Sequence, residues 1–168
     1  MRFILTFMLF FSMLHGEGGL LNVKWPKAKT LHEKSKSYPS DLEKKVENVR
    51  LPVYLPTSYI RGHKLSIVSD KNFYFITVIL KGATVMVSGD RTYQQKIKSG
   101  GGNIMSKIRS INMKFVLSEG IMTTDFNRHG VNYSLLVECD SPLKDIRCND
   151  KKFIKRLYRE LTVVGGRR

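Results

Sequence analysis

Two stretches of this chain repeat one arrangement of short β-forming segments, and that repetition narrows the possible folds more than any other feature. Lys64–Ser69, Phe73–Lys81 and Ala83–Gly89 read as strands, separated by Asp70-Lys71-Asn72 and by Gly82. Met113–Ser118, Ile121–Asn127 and Val131–Asp140 read the same way, with turns at Glu119-Gly120 and Arg128-His129-Gly130. Written over one another, Ser69 falls on Ser118, Gly82 on Gly130 and Asp90 on Asp140. The arrangement implies an antiparallel sheet of about six strands in two three-strand meanders, which are either diverged copies in an approximate two-fold layout or two unrelated meanders with similar glycine turns.

Within the sheet, Phe73-Tyr-Phe-Ile-Thr-Val-Ile-Leu80 is apolar on both faces: Phe73, Phe75, Thr77 and Ile79 point one way, Tyr74, Ile76, Val78 and Leu80 the other. Such a strand is expected to be covered on both sides. The other reading is one face left open for a partner or a lipidic ligand. After the sheet, Asn149 or Asp150 can cap a helix running to Val163 or Val164, stopped by Gly165-Gly166. Phe153, Ile154, Leu157, Tyr158 and Leu161 form its apolar stripe. Fold class is therefore α+β, with a C-terminal amphipathic helix packed on the antiparallel sheet.

The start of the chain is of a different kind. Met1-Arg2 precedes an apolar run from Phe3 to Leu14, and Gly16, Gly18 and Gly19 follow. A cationic start, an apolar segment and a small-residue exit are the parts of a secretory signal peptide. The run would make a helix of roughly 18 Å, short of the ~30 Å of a bilayer core. Residues 1–18 are thus expected to direct export to a periplasmic or extracellular space. Residues 19–50 read as a basic polar arm with Pro26 and Pro39. Inside it Ser40-Asp-Leu-Glu43 has the form of a capping box, and Leu42, Val46 and Val49 outline a short helix near 41–49. Leu51-Pro-Val-Tyr-Leu-Pro56 is an extended segment suited to an edge. The single α+β domain covers 51–166. In an exported chain, Cys139 and Cys148 are expected to form a disulfide, whose short loop stabilises by about 2.5–3 kcal/mol.

Charge carries the functional signal. The chain has 29 Lys+Arg against 14 Asp+Glu, a formal net charge of +15. Removing the leader leaves that balance in the exported product. Arg91, Lys96, Lys98, Lys107 and Arg109 lie in a stretch, 91–114, without Asp or Glu, in which Lys98-Ser-Gly-Gly-Gly-Asn103 is expected to form a mobile loop. On the C-terminal helix Lys151, Lys155 and Arg159 recur at i, i+4, i+8, with Lys152 and Arg156 beside them. These ten cations are the candidate anion-binding residues, and the expected partner is an anionic lipid or glycan surface, or an acidic protein. Specific nucleic-acid recognition is disfavoured, because no helix-turn-helix, zinc-finger or ribonucleoprotein motif is present.

Catalytic signatures are absent from the sequence. His63 precedes a strand and His129 sits in a turn; no H-E-x-x-H, G-x-S-x-G or phosphate-loop pattern occurs, and no cofactor or metal motif is found. The leading expectation is an exported, non-enzymatic basic protein. The alternatives are a secreted hydrolase or enzyme inhibitor with a site assembled on the sheet, and a structural subunit of an envelope complex.

Overall fold

The structure, a computed structural model, describes residues 18–26, 40–60, 62–94 and 114–168. The proposed leader lies outside the described residues but for its last residue, Gly18, and so does the stretch 95–113 with Lys96, Lys98, Lys107 and Arg109. In chain order the elements are β1 (Gly18–Leu20), α1 (Ser40–Val46), β2 (Val53–Pro56), β3 (Lys64–Asp70), β4 (Phe73–Leu80), β5 (Ala83–Asp90) and β6 (Thr92–Gln94). They continue with β7 (Phe115–Ser118), β8 (Ile121–Arg128), β9 (Val131–Cys139), α2 (Ile146–Asn149), α3 (Lys151–Glu160) and β10 (Leu161–Gly165).

The two meanders form one antiparallel sheet in the order β3-β4-β5-β9-β8-β7. They meet at the β5–β9 pair, where Met86 stands opposite Leu136 near the centre. The β7–β8 and β8–β9 hairpins turn through Glu119-Gly120 and His129-Gly130, each with two consecutive positive φ angles (51° and 81°, 56° and 79°). That is the two-residue turn whose twist suits a hairpin, and the glycine takes the second position without a steric penalty. The α+β class and the six-strand sheet are as the sequence implies.

The sheet alternation puts Tyr74, Ile76 and Val78 of β4 on the same side as Val85, Val87, Leu135 and Val137, and all of them are buried. This inner face is roofed by α1, through Leu42 and Val46, by the antiparallel β2–β10 ribbon, and by α3, through Ile154 and Leu157. The described part of the N-terminal arm lies along the domain: β1 pairs with β6, Leu21 is buried, and Lys24 N–H donates to the His129 carbonyl at 2.8 Å. Val49, just past α1, is buried as well.

Two expectations are corrected. Among the described residues the β4 strand is covered on one side only: Phe73, Phe75 and Ile79 on its other face are exposed at 39 %, 36 % and 45 %. Every described covering element, α1, α3 and the β2–β10 ribbon, packs on the inner face. The C-terminal helix stops at Glu160, not at Val163 or Val164, and the chain continues as β10. Leu161-Thr-Val-Val is rich in β-branched residues, and β2 offers it a buried ladder from Val53 to Pro56. Pairing with that strand outweighs one further turn of helix. A second short helix, α2, forms in the link between β9 and α3, capped by the Asp145 side chain, which accepts from the Arg147 N–H.

Two fastenings hold the layers together. Cys139 and Cys148 are joined by a disulfide, which fixes the end of β9 to α2. Beside it the Arg147 guanidinium donates to the Lys81 carbonyl at 2.9 Å and to Asp145, whose carboxyl it holds down at about 2. The other fastening is a pair of buried tyrosines. Tyr74 Oη accepts from the Tyr54 N–H at 2.9 Å, and Tyr133 Oη donates to the Pro52 carbonyl at 3.0 Å, so both tie β2 to the sheet. Gly89 lies between them in the register, and a Cβ there would stand 2.6 Å from the Tyr74 ring and 2.7 Å from that of Tyr133. Only glycine lets both rings lean over β5.

Tyr133→Phe removes one of these buried bonds and leaves the Pro52 carbonyl without that donor; unfolding in urea should show a loss of about 1–2 kcal/mol. Thr124 works in the opposite sense: its side-chain oxygen is buried with no hydrogen-bond partner among the described residues. Thr124→Val keeps the shape and removes the unsatisfied group, so the same measurement should show a gain of about 1 kcal/mol.

Candidate anion-binding cleft

Three chain segments far apart in sequence converge at one end of the inner layer. The end of α1 and the turn after it bring Lys45, Asn48 and Arg50. The end of β3 and its turn bring Ser69, Asp70 and Lys71, and the residues after β10 bring Arg167 and Arg168. Together they line a cleft of about 650 Å³. Backbone bonds set the arrangement: Arg50 N–H donates to the Lys71 carbonyl at 2.8 Å, and Arg167 N–H to the Val49 carbonyl at 2.7 Å. Ser69 Oγ donates to the Lys45 carbonyl, and Arg168 Nη2 to the Pro26 carbonyl at 3.3 Å.

Five cationic side chains line the cleft against one carboxylate, Asp70, which accepts from the Lys71 N–H at 2.6 Å. Among the described residues none of the five is in an ion pair. Like charges held at the rim of one concave surface repel one another, and an anion entering between them relieves that repulsion. Arg91, one of the cations singled out in the sequence, reaches this wall: its Nη1 donates to the Arg50 carbonyl at 3.1 Å. Its Nε and the Asn72 Oδ1 are buried with no partner among the described residues.

The helix cations are placed differently. Lys151, Lys152, Lys155, Arg156 and Arg159 are all exposed on α3. Lys152 lies 3.5 Å from Asp150, and Arg156 lies 3.7 Å from Glu160 one turn on. Lys155 stands over the Phe115 ring at 5.7 Å, and Arg156 over that of Phe153 at 5.2 Å. Lys151, Lys155 and Arg159 keep charges without a carboxylate partner among the described residues, on a convex surface.

The histidines do not converge. His63 is exposed beside Tyr59, while His129 stacks on Tyr54 with ring centroids 6.3 Å apart. Burial and the neighbouring Arg128 charge push the His129 imidazole below its ordinary range. Arg128 itself lies among aromatic rings, 4.9 Å from Tyr54, 5.1 Å from Tyr158 and 5.3 Å from Phe126. It thereby joins β8 to β2 and α3. No group of three or more metal-ligating side chains occurs among the described residues.

The cleft was not legible in the sequence. Lys45 and Arg50 belong to the basic arm, but Lys71 is one lysine in a turn and Arg167-Arg168 lies beyond the last apolar segment. Only the β2–β10 pairing and the docking of α1 bring them together. Compared with known proteins, the chain matches no family model, no curated protein and no solved structure.

Because the repulsion in the cleft is unrelieved, Lys71→Gln should stabilise the free protein by about 0.2–1 kcal/mol at low salt. Thermal unfolding should show that gain fading as salt is raised.

Proposed function

We propose that this chain is an exported, non-enzymatic basic protein that binds an anionic envelope surface, and that the cleft seats the anionic head groups. The observation that supports this reading is the convergence of Lys45, Arg50, Lys71, Arg167 and Arg168 on one concave site with a single carboxylate. Arginine offers paired N–H donors to phosphate oxygens, and lysine adds point charge. The Cys139–Cys148 disulfide suits an oxidising compartment outside the cytoplasm. No helix among the described residues is long and apolar enough to cross a membrane. Attachment through charge at the surface is consistent with that. The free α3 cations add attraction at longer range, but they do not enclose a ligand.

Vesicle flotation tests this directly, with protein from the exported fraction and lipid either zwitterionic or carrying phosphatidylglycerol. Binding should need the anionic lipid and weaken as salt rises. A cation near such a surface contributes about 1 kcal/mol, so Lys45→Gln, Lys71→Gln and Arg167→Gln together should weaken binding roughly a hundredfold. Neutralising Lys151, Lys155 and Arg159 should cost much less. Unchanged retention of the cleft variant on anionic vesicles would defeat the reading.

A further inference from the structure

Among the described residues, none forms a layer over the outer face of the six-strand sheet. Val68, Phe75, Ile79, Met86, Leu136 and Val116 point outward from β3, β4, β5, β9 and β7, and no outward residue of the six strands is buried. Asp70, Asp90, Asp125 and Glu138 share this face from four different strands, and Lys64 is its only strand cation. An apolar face set with carboxylates is out of keeping with a chain of net charge +15.

The α2–α3 stretch, whose α3 packs against the inner face of the sheet, has the converse composition. Leu143 and Ile146 are exposed at 91 % and 69 %, and Lys151, Lys155 and Arg159 follow with no carboxylate partner among the described residues. We propose that the outer sheet face of one copy receives the α2–α3 side of a second copy, head to tail. Apolar surface meets apolar surface, and carboxylates meet ammonium and guanidinium groups. Helix on sheet is also the usual way to cover an open sheet face, and α3 already covers the inner face of β7, β8 and β9 in its own chain.

Two sheets packed face to face would instead set four carboxylates against four. The sheet, at about 4.8 Å between strands and about 3.4 Å per residue, offers on the order of 700 Å² to a partner, close to the roughly 800 Å² per side of a stable interface. The two surfaces differ: one is the outer face of the sheet, and the other is carried by helices of which α3 packs on its inner face. The contact is therefore heterologous, and its product is an open chain of copies, not a closed dimer. Of the residues lining the cleft only Asp70 lies on this face, and none of the cleft cations does.

Sedimentation velocity from about 5 to about 200 µM, in about 0.15 M salt, reads the outcome. Wild-type mass should rise with concentration and pass beyond a dimer without a plateau. Two charge reversals on exposed residues separate the contact from folding: Asp125→Lys with Glu138→Lys, and Lys151→Glu with Lys155→Glu. Each variant alone should associate at least tenfold more weakly while keeping the wild-type circular dichroism and melting. An equimolar mixture should associate again, since each altered face then meets its complement. Phe75→Thr with Ile79→Thr should weaken association with no change of charge. A monomer over the whole range overturns the proposal. So does a dimer that plateaus and ignores the helix reversal, or a mixture that stays apart. Failure of self-association would still leave single-copy vesicle binding by the cleft in place, so the two readings fail separately.

Discussion

The roof of this protein is held to its sheet by the hydroxyls of Tyr74 and Tyr133, and the rest of the structure depends on that attachment. Both bond to backbone at the start of β2, which is otherwise buried from Val53 to Pro56. A buried strand needs partners for its backbone groups, and β2 finds them in β10 on one edge and in the two tyrosines at its entry. Once β2 is placed, β10 follows, and Gly165 packs against Val46 so closely that a Cβ there would clash with the valine side chain. The residues after β10 therefore arrive beside α1 and the β3–β4 turn. The cleft is thus a consequence of how the roof is fastened: Arg167 reaches Lys45 and Lys71 because β10 is a strand.

That dependence explains what could be read from the sequence. Alternation and turn residues are local signals, and they sufficed for the two meanders and their hairpins; the disulfide at the end of β9 followed from a cysteine pair in a chain read as exported. The extent of α3 was overestimated because the apolar period through Leu161 continues a helix as well as it begins a strand; only the partner strand decides between them. Double-sided burial of β4 was expected from a run with apolar residues on both faces. The run specifies a strand but says nothing about which faces will find a layer. The cleft cations carried no periodicity at all. Their common location depends on contacts between residues far apart in sequence, such as Arg50 with Lys71 and Arg167 with Val49, where sequence spacing is uninformative.

The net charge of +15 also proves to be unevenly spread. Carboxylates Asp70, Asp90, Asp125 and Glu138 project from the outer sheet face, while unpaired cations gather in the cleft and along α3. At physiological ionic strength charges are screened over about 8 Å, so each face acts on its neighbours nearly independently of the total. Bulk charge then governs the approach of an anionic surface, and local charge governs what settles where.

Separation of the surfaces lets the two proposed contacts operate together. A single shallow cleft of exposed cations binds an anionic surface weakly in salt, because each charge is well hydrated before contact. In a head-to-tail chain the cleft cations of every copy stay free and recur at a fixed spacing. After the first copy has bound, the next meets the surface at a high effective concentration, so overall attachment strengthens steeply with copy number without any tighter single site. Geometry sets the condition: consecutive clefts must face the same side of the chain. A screw rotation between copies would turn successive clefts away from a flat surface and suit a curved or strand-like anion instead. The physical form of the target therefore depends on the twist of the outer sheet face, which fixes the angle at which the next helix crosses it.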